Sequence, residues 1–193
     1  MEIPLKKTPE TPEERKALIA EIIKQEEEIF AMSLGFLQKF MVEKLLEKGY
    51  SLNDIEINKG YEVIVSETEK FVTSVDILIR LDGKTVFAIK CTPASIDSWQ
   101  RFMLAFCRTV EPYQIPFAFI TDSEEGRLMN ILTGEVKETM DFPSKEELMK
   151  ELSNLKFIPY NEEKLPKERR ILYAFDAIKC CPINVNVKCG LSD

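Results

Sequence analysis

Val75-Asp76-Ile77-Leu78-Ile79-Arg80-Leu81, then Asp82-Gly83, then Lys84-Thr85-Val86-Phe87-Ala88-Ile89-Lys90-Cys91 is the stretch that decides the fold. Two runs rich in β-branched and apolar residues flank an Asp-Gly pair, the strongest short-range signal for a β-hairpin. Its register matters because a slip of one residue exchanges the faces of the strands. A two-residue Asp82-Gly83 turn pairs Leu81 with Lys84 and sets Asp76 and Lys90 on opposite faces, with polar and apolar positions mixed on both. A three-residue loop, Leu81-Asp82-Gly83 with Gly83 as a left-handed bulge, pairs Arg80 with Lys84 and Asp76 with Ala88. This second register sorts the side chains. One face becomes Val75, Ile77, Ile79, Thr85, Phe87, Ile89 and Cys91, and the other Asp76, Leu78, Arg80, Lys84, Val86, Ala88 and Lys90. Because burying one apolar face is what fixes register, we expect the second, with Asp76 and Lys90 on one face at the strand ends remote from the turn.

Upstream, a short strand is expected over 61–65. Before it, Thr11-Pro12-Glu13-Glu14 reads as a helix start with Thr11 as N-cap and Glu14 closing a capping box. Apolar residues recur at helical spacing through Leu18, Ile19, Ile22, Ile23, Ile29 and Phe30, then through Leu34, Leu37, Phe40, Met41 and Leu45. Gly35 lies between these stripes, so a kink or two helices are expected, ending at Gly49. Downstream, Pro93 stops the hairpin and a helix is expected over 95–108, with Trp99, Phe102, Met103 and Phe106 turned to the sheet. A strand over 116–121 follows, then a turn at Thr133-Gly134-Glu135, then a helix over 145–155 opened by the Ser144/Glu147 capping box. A last helix is expected over 168–178. The fold class is α/β: a mixed sheet of four or five strands flanked by helices. The expected divisions are a helical N-terminal extension (1–34), a core (35–158), and a C-terminal helix with a Cys-containing tail (159–193).

The 193 residues suit one domain of roughly 100 to 200 residues with appendages. A hydrophobic content of 45% with 12 Phe is enough to build a core and excludes wholesale disorder. No apolar run reaches the ~18 residues of a membrane span, which leads us to expect a cytoplasmic chain with no membrane partner. Twenty-six basic against 33 acidic residues, net −7, disfavour a protein that coats nucleic acid by bulk charge, though a local basic site stays open. The absence of His excludes His general acid/base chemistry and His-containing zinc sites within this chain. No Walker-type phosphate loop occurs, so no ATP-driven translocase is expected within this chain, and if it acts on DNA a partner is expected to supply any motor.

A carboxylate and an ammonium on rigid strands, as at Asp76 and Lys90, suit a hard cation and charge stabilisation at a phosphodiester. The plainer reading is a cross-strand ion pair worth about 0.2–1 kcal/mol. Arg80, Lys84, Arg101 and Arg108 suit a phosphate-contacting patch, or else solvated faces. Cys180, Cys181 and Cys189 form a thiol-rich tail that suits Zn²⁺ or an iron-sulfur cluster, or else packing and redox chemistry. Cys91 and Cys107 read as small buried hydrophobes.

The Val75–Ile79 run with Asp76, the Asp82-Gly83-Lys84 turn and the Val86–Lys90 run ending in Lys90 resemble the central hairpin of the PD-(D/E)XK nuclease superfamily. Within it, the stretch is similar to the N-terminal domain of type I restriction enzyme R subunits. The stretches 37–50 and 116–122 resemble the flanking elements, so the resemblance spans roughly 37–136. It implies a restriction-endonuclease-like fold and a Mg²⁺- or Mn²⁺-dependent DNA endonuclease. It makes DNA the expected partner, in a homodimer or a larger restriction or repair complex. Asp76 is then a metal ligand, Lys90 stabilises the attacking water or scissile phosphate, and Gln100 is the helix Gln. The sequence departs from the family at two places. Ala88 stands where the second metal-binding carboxylate belongs, and Val75 replaces the Pro. Glu62 or Asp97 would have to supply the missing carboxylate. The preceding helix carries Gly35 and Gln38 where relatives often add another acid. Two other readings stay open: a pseudo-nuclease that binds nucleic acid or protein, and an oligomeric scaffold built on the N-terminal helix.

Overall fold

The computed structural model describes residues 11–93 and 95–179. The first helix, α1 (Pro12–Glu47), starts at the expected cap: the Thr11 hydroxyl accepts from the Glu14 N–H and the Glu14 carboxylate accepts from the Thr11 N–H. It runs unbroken through Gly35, so the two-helix alternative is corrected. A helix-interior Gly costs about 1 kcal/mol, which strong helix formers on both sides outweigh. The helix stops where Gly49 takes φ 86, a conformation open to glycine without a Cβ clash.

A short 3-10 turn (Leu52–Asp54) leads into β1 (Ile55–Ile57), and then β2 (Gly60–Ile64) and β3 (Lys70–Ser74) form a separate two-stranded sheet. The main sheet adds β4 (Ile77–Leu81), β5 (Lys84–Cys91), β6 (Phe117–Thr121), β7 (Gly126–Asn130) and β8 (Val136–Glu138). Its order is β1-β4-β5-β6-β7-β8, six strands rather than four or five. Among the described strands only β5 and β6 pair in parallel, and the parallel pair needs the crossover that α2 (Ile96–Thr109) provides. The chain is thus a mixed α/β fold with helices against a mixed sheet, as expected of a restriction-endonuclease-like domain.

Both faces of the sheet are buried. Leu37, Met41 and Leu45 of α1, with Leu148 of α3 (Lys145–Glu151), pack on Ile77, Ile79, Phe87 and Ile89. On the other face Phe102, Met103 and Phe106 of α2, with Leu172 of α4 (Leu165–Lys179), pack on Leu78, Ala88, Ala118 and Ile120; Trp99 joins them half-buried. The Ser144/Glu147 box caps α3, which ends at Glu151 rather than 155.

The hairpin register corrects the expectation. Leu81 pairs with Lys84, so the loop is the two-residue Asp82-Gly83 turn, with φ 48 and 76. Arg80 faces Thr85, not Lys84, and Leu78 faces Ala88, so Asp76 does not. Between the pairs Arg80↔Thr85 and Ile79↔Phe87 lies an unmatched Val86, a β-bulge. The bulge turns the consecutive residues Val86 and Phe87 to the same α1-side core. One extra residue restores the parity that the shorter turn had reversed. Asp76 and Lys90 therefore share a face after all, by a route the side-chain pattern does not reveal.

Candidate functional site

Asp76 immediately precedes β4, and Lys90 is the penultimate residue of β5. One step beyond the Ile77↔Ile89 pair, they lie across from each other. Lys90 Nζ donates to Asp76 Oδ2 at 2.8 Å, and the Cys91 backbone N–H donates to the same oxygen at 2.7 Å. Gln38 Nε2, from α1, donates to Asp76 Oδ1 at 3.2 Å and to Asn58 Oδ1 at 3.0 Å. Asn58, at φ 51, returns its backbone N–H to the Asp76 carbonyl at 3.0 Å. The Lys90 ammonium lies 4.7 Å from the Trp99 ring centroid. Asp76 is 4% exposed and Lys90 8%.

This is a buried ion pair whose carboxylate has a donor on each oxygen. Desolvating two charges is offset only when geometry is good and the remaining lone pairs are satisfied. Both conditions hold here. Ala88, two residues before Lys90, is fully buried in the α2-side core.

The other expected site residues lie elsewhere. Gln100 Oε1 accepts from Arg127 Nη1 at 3.0 Å, so its hydrogen bond goes to β7. Glu62, on the separate β2–β3 ribbon, is exposed and 3.0 Å from Lys70. Asp97 pairs with Arg127. Magnesium takes oxygen ligands in a near-octahedral shell and relies on carboxylates to offset its charge. With Asp76 engaged by Lys90, Cys91 N–H and Gln38, and with no cluster of three or more carboxylate or thiol ligands among the described residues, the residues present do not fit Mg²⁺ or Mn²⁺.

The basic residues do not gather into one patch. Arg101 Nη2 lies 2.6 Å and Arg108 Nη1 3.2 Å from the two oxygens of Glu168, a buried residue of α4. Tyr160 donates to the same carboxylate at 3.3 Å and lies under the Arg108 guanidinium at 4.7 Å. Arg80 donates to the Gly83 carbonyl at 2.6 Å, and Lys84 covers the Phe157 ring at 4.1 Å. Cys91 and Cys107 are buried, and burial pushes the Cys91 thiol up to about 12 and the Cys107 thiol up as well. Cys180, Cys181 and Cys189 lie outside the described residues. Among the described residues no helix is long and apolar enough to cross a membrane.

Sequence reasoning missed Asn58, Trp99 and Glu168. Trp99 packs on the core as its helical spacing implies, and its place one turn into α2 also sets its ring against Lys90. Asn58 carried one hint, because Asn tolerates the left-handed backbone it adopts.

No family model matches this chain, and no curated protein matches it significantly. Among solved structures, a fragment assigned as an HsdR subunit of a type I restriction enzyme from Vibrio vulnificus YJ016 is similar, at 18% identity and a TM-score of 0.47. The match covers 72% of this chain and 30% of that one.

Proposed function

We propose that this chain is a restriction-endonuclease-like domain that works as a protein-binding module rather than as a Mg²⁺-dependent nuclease. The observation that carries the reading is the Asp76 carboxylate, held by Lys90, the Cys91 N–H and Gln38. In the nuclease reading implied by the resemblance, Asp76 offers its oxygens to a metal and Lys90 reaches a water or phosphate. Here each is the other's partner. The pair closes the open end of the hairpin, and Trp99 caps the ammonium.

Electrostatics favours protein over DNA as the partner. Each phosphate contact needs a cation free to replace counterions. Arg101 and Arg108 serve Glu168 and Lys90 serves Asp76, on a chain of net charge −7.

The test is cleavage of supercoiled and single-stranded DNA by the full chain with Mg²⁺ or Mn²⁺. The wild type is expected to be silent. Metal-dependent cleavage by the wild type that disappears in Lys90→Ala would overturn the reading and restore Asp76 as a metal ligand. Ala88→Glu alongside it asks whether returning the carboxylate is enough to reopen the site.

A further inference from the structure

α1 is 36 residues long, about 54 Å at 1.5 Å per residue, and its described core contacts run from Leu34 to Leu45. Among the described side chains before Leu37, none is buried. Ile29 is 62% exposed, Met32 74% and Phe36 66%. They are spaced by three and four residues and so share one stripe of the helix. Continued upstream, the same alternation falls on Gln25, Ile22 and Leu18. Leu18, Ile22, Gln25, Ile29, Met32 and Phe36 are thus successive d and a positions of a heptad seam, polar only at Gln25. This seam lies beside the Leu37-Met41-Leu45 stripe that packs on the sheet, and is separate from it.

The residues flanking the seam say what covers it. The g positions are Glu14, Glu21 and Glu28, and the charged e position is Glu26. Flanking charges set partner choice in helix pairing. In a parallel pair of identical helices Glu21 meets the partner's Glu26, and in an antiparallel pair the g positions meet each other. Either arrangement of two copies opposes Glu with Glu. The Phe36 end of the seam opens on a cleft of about 520 Å³ shared with Pro93 and the carboxylates Asp122 and Glu124, which continues the acidic character.

We infer that the α1 seam from Leu18 to Phe36 docks an amphipathic helix of another protein, one with apolar a and d positions and Lys or Arg flanking them. Such a helix covers the exposed Ile29, Met32 and Phe36 and places its cations against Glu21 and Glu28. A polar residue opposite Gln25 fixes its register. The inference deepens the binding-module reading and rests on it, but it uses none of the residues around Asp76. DNA cleavage would sink that reading without touching the seam, whereas a failed peptide titration sinks only this inference.

The test titrates the full chain with two designed three-heptad peptides, identical at a and d, one carrying Lys at e and g and the other Glu. The expected result is binding of the Lys-flanked peptide at least about tenfold tighter than the Glu-flanked one, a difference of ~1.4 kcal/mol. Glu21→Lys with Glu28→Lys is expected to invert the preference. Met32→Glu is expected to abolish binding of both peptides while circular dichroism shows the helix content kept. Equal affinity for the two peptides, or binding of neither, overturns the inference. So does a dimer of the full chain in sedimentation that Met32→Glu dissociates, because that result gives the seam to a second copy.

Discussion

Among the described residues two carboxylates are buried against cations, and they are built differently. Asp76 sits at the end of two strands with one ammonium and two neutral donors, and both charged partners are almost sealed, at 5% and 10% side-chain exposure. Glu168 joins α4 to α2 through two guanidinium groups seven residues apart, which stay 39% and 21% exposed. Only the first lies in the hairpin whose sequence resembles a nuclease motif, yet the second does much the same physical work of neutralising a buried charge. A buried acid beside a cation is therefore weak evidence for catalysis by itself. What separates a metal ligand from a structural ion pair is whether its oxygens remain available.

This contrast breaks most readily at Lys90. Lys90→Met leaves the Asp76 charge sealed without its partner and is expected to cost about 3–5 kcal/mol in urea unfolding. Adding Asp76→Asn to it is expected to recover most of that loss, since a neutral amide still accepts from Cys91 N–H; a purely additive cycle would mean the two groups do not depend on each other. Glu168→Gln is expected to cost less, roughly 1–3 kcal/mol, because the released guanidinium groups reach water. Arg101→Ala, which leaves Arg108 on the carboxylate, is expected to cost no more than about 1 kcal/mol. The smallest effect sharpens the comparison locally. Cys107 adjoins Arg108 and Cys91 adjoins Lys90, and both thiols are buried and held protonated. Residue-resolved alkylation is expected to be slow at both in the wild type. Arg101→Ala is expected to speed it at Cys107 and leave Cys91 unchanged.

Local signals carried much of the fold. Both capping boxes, the Gly49 stop, α2 and the apolar stripe it presents were legible because each depends on residues within two or three turns of one another. The hairpin was legible as a hairpin, but its register was not. Nothing in Lys84-Thr85-Val86-Phe87 marks Val86 as unmatched, since no glycine stands there and both candidate faces are apolar enough. The expectation assumed one buried face, whereas α1 and α2 cover both. β1, β3 and β7 escaped notice because three residues, and the mixed runs Lys-Phe-Val-Thr-Ser and Gly-Arg-Leu-Met-Asn, show too little alternation to separate from loop. At the site, Asp76 and Lys90 were legible through the hairpin. Gln38 and Glu168 act on residues 38 and about 60 positions away, and such separations leave no trace in a single sequence.

The central claim is that Asp76 belongs to Lys90 and not to a metal. A ligand that binds only the folded chain raises its unfolding midpoint, so the direct measurement is thermal unfolding of the wild type and Asp76→Asn across a Mg²⁺ titration. The account predicts that Mg²⁺ shifts the two proteins alike. A concentration-dependent rise in the wild type that Asp76→Asn lacks would contradict it and reopen this end of the hairpin as a metal site.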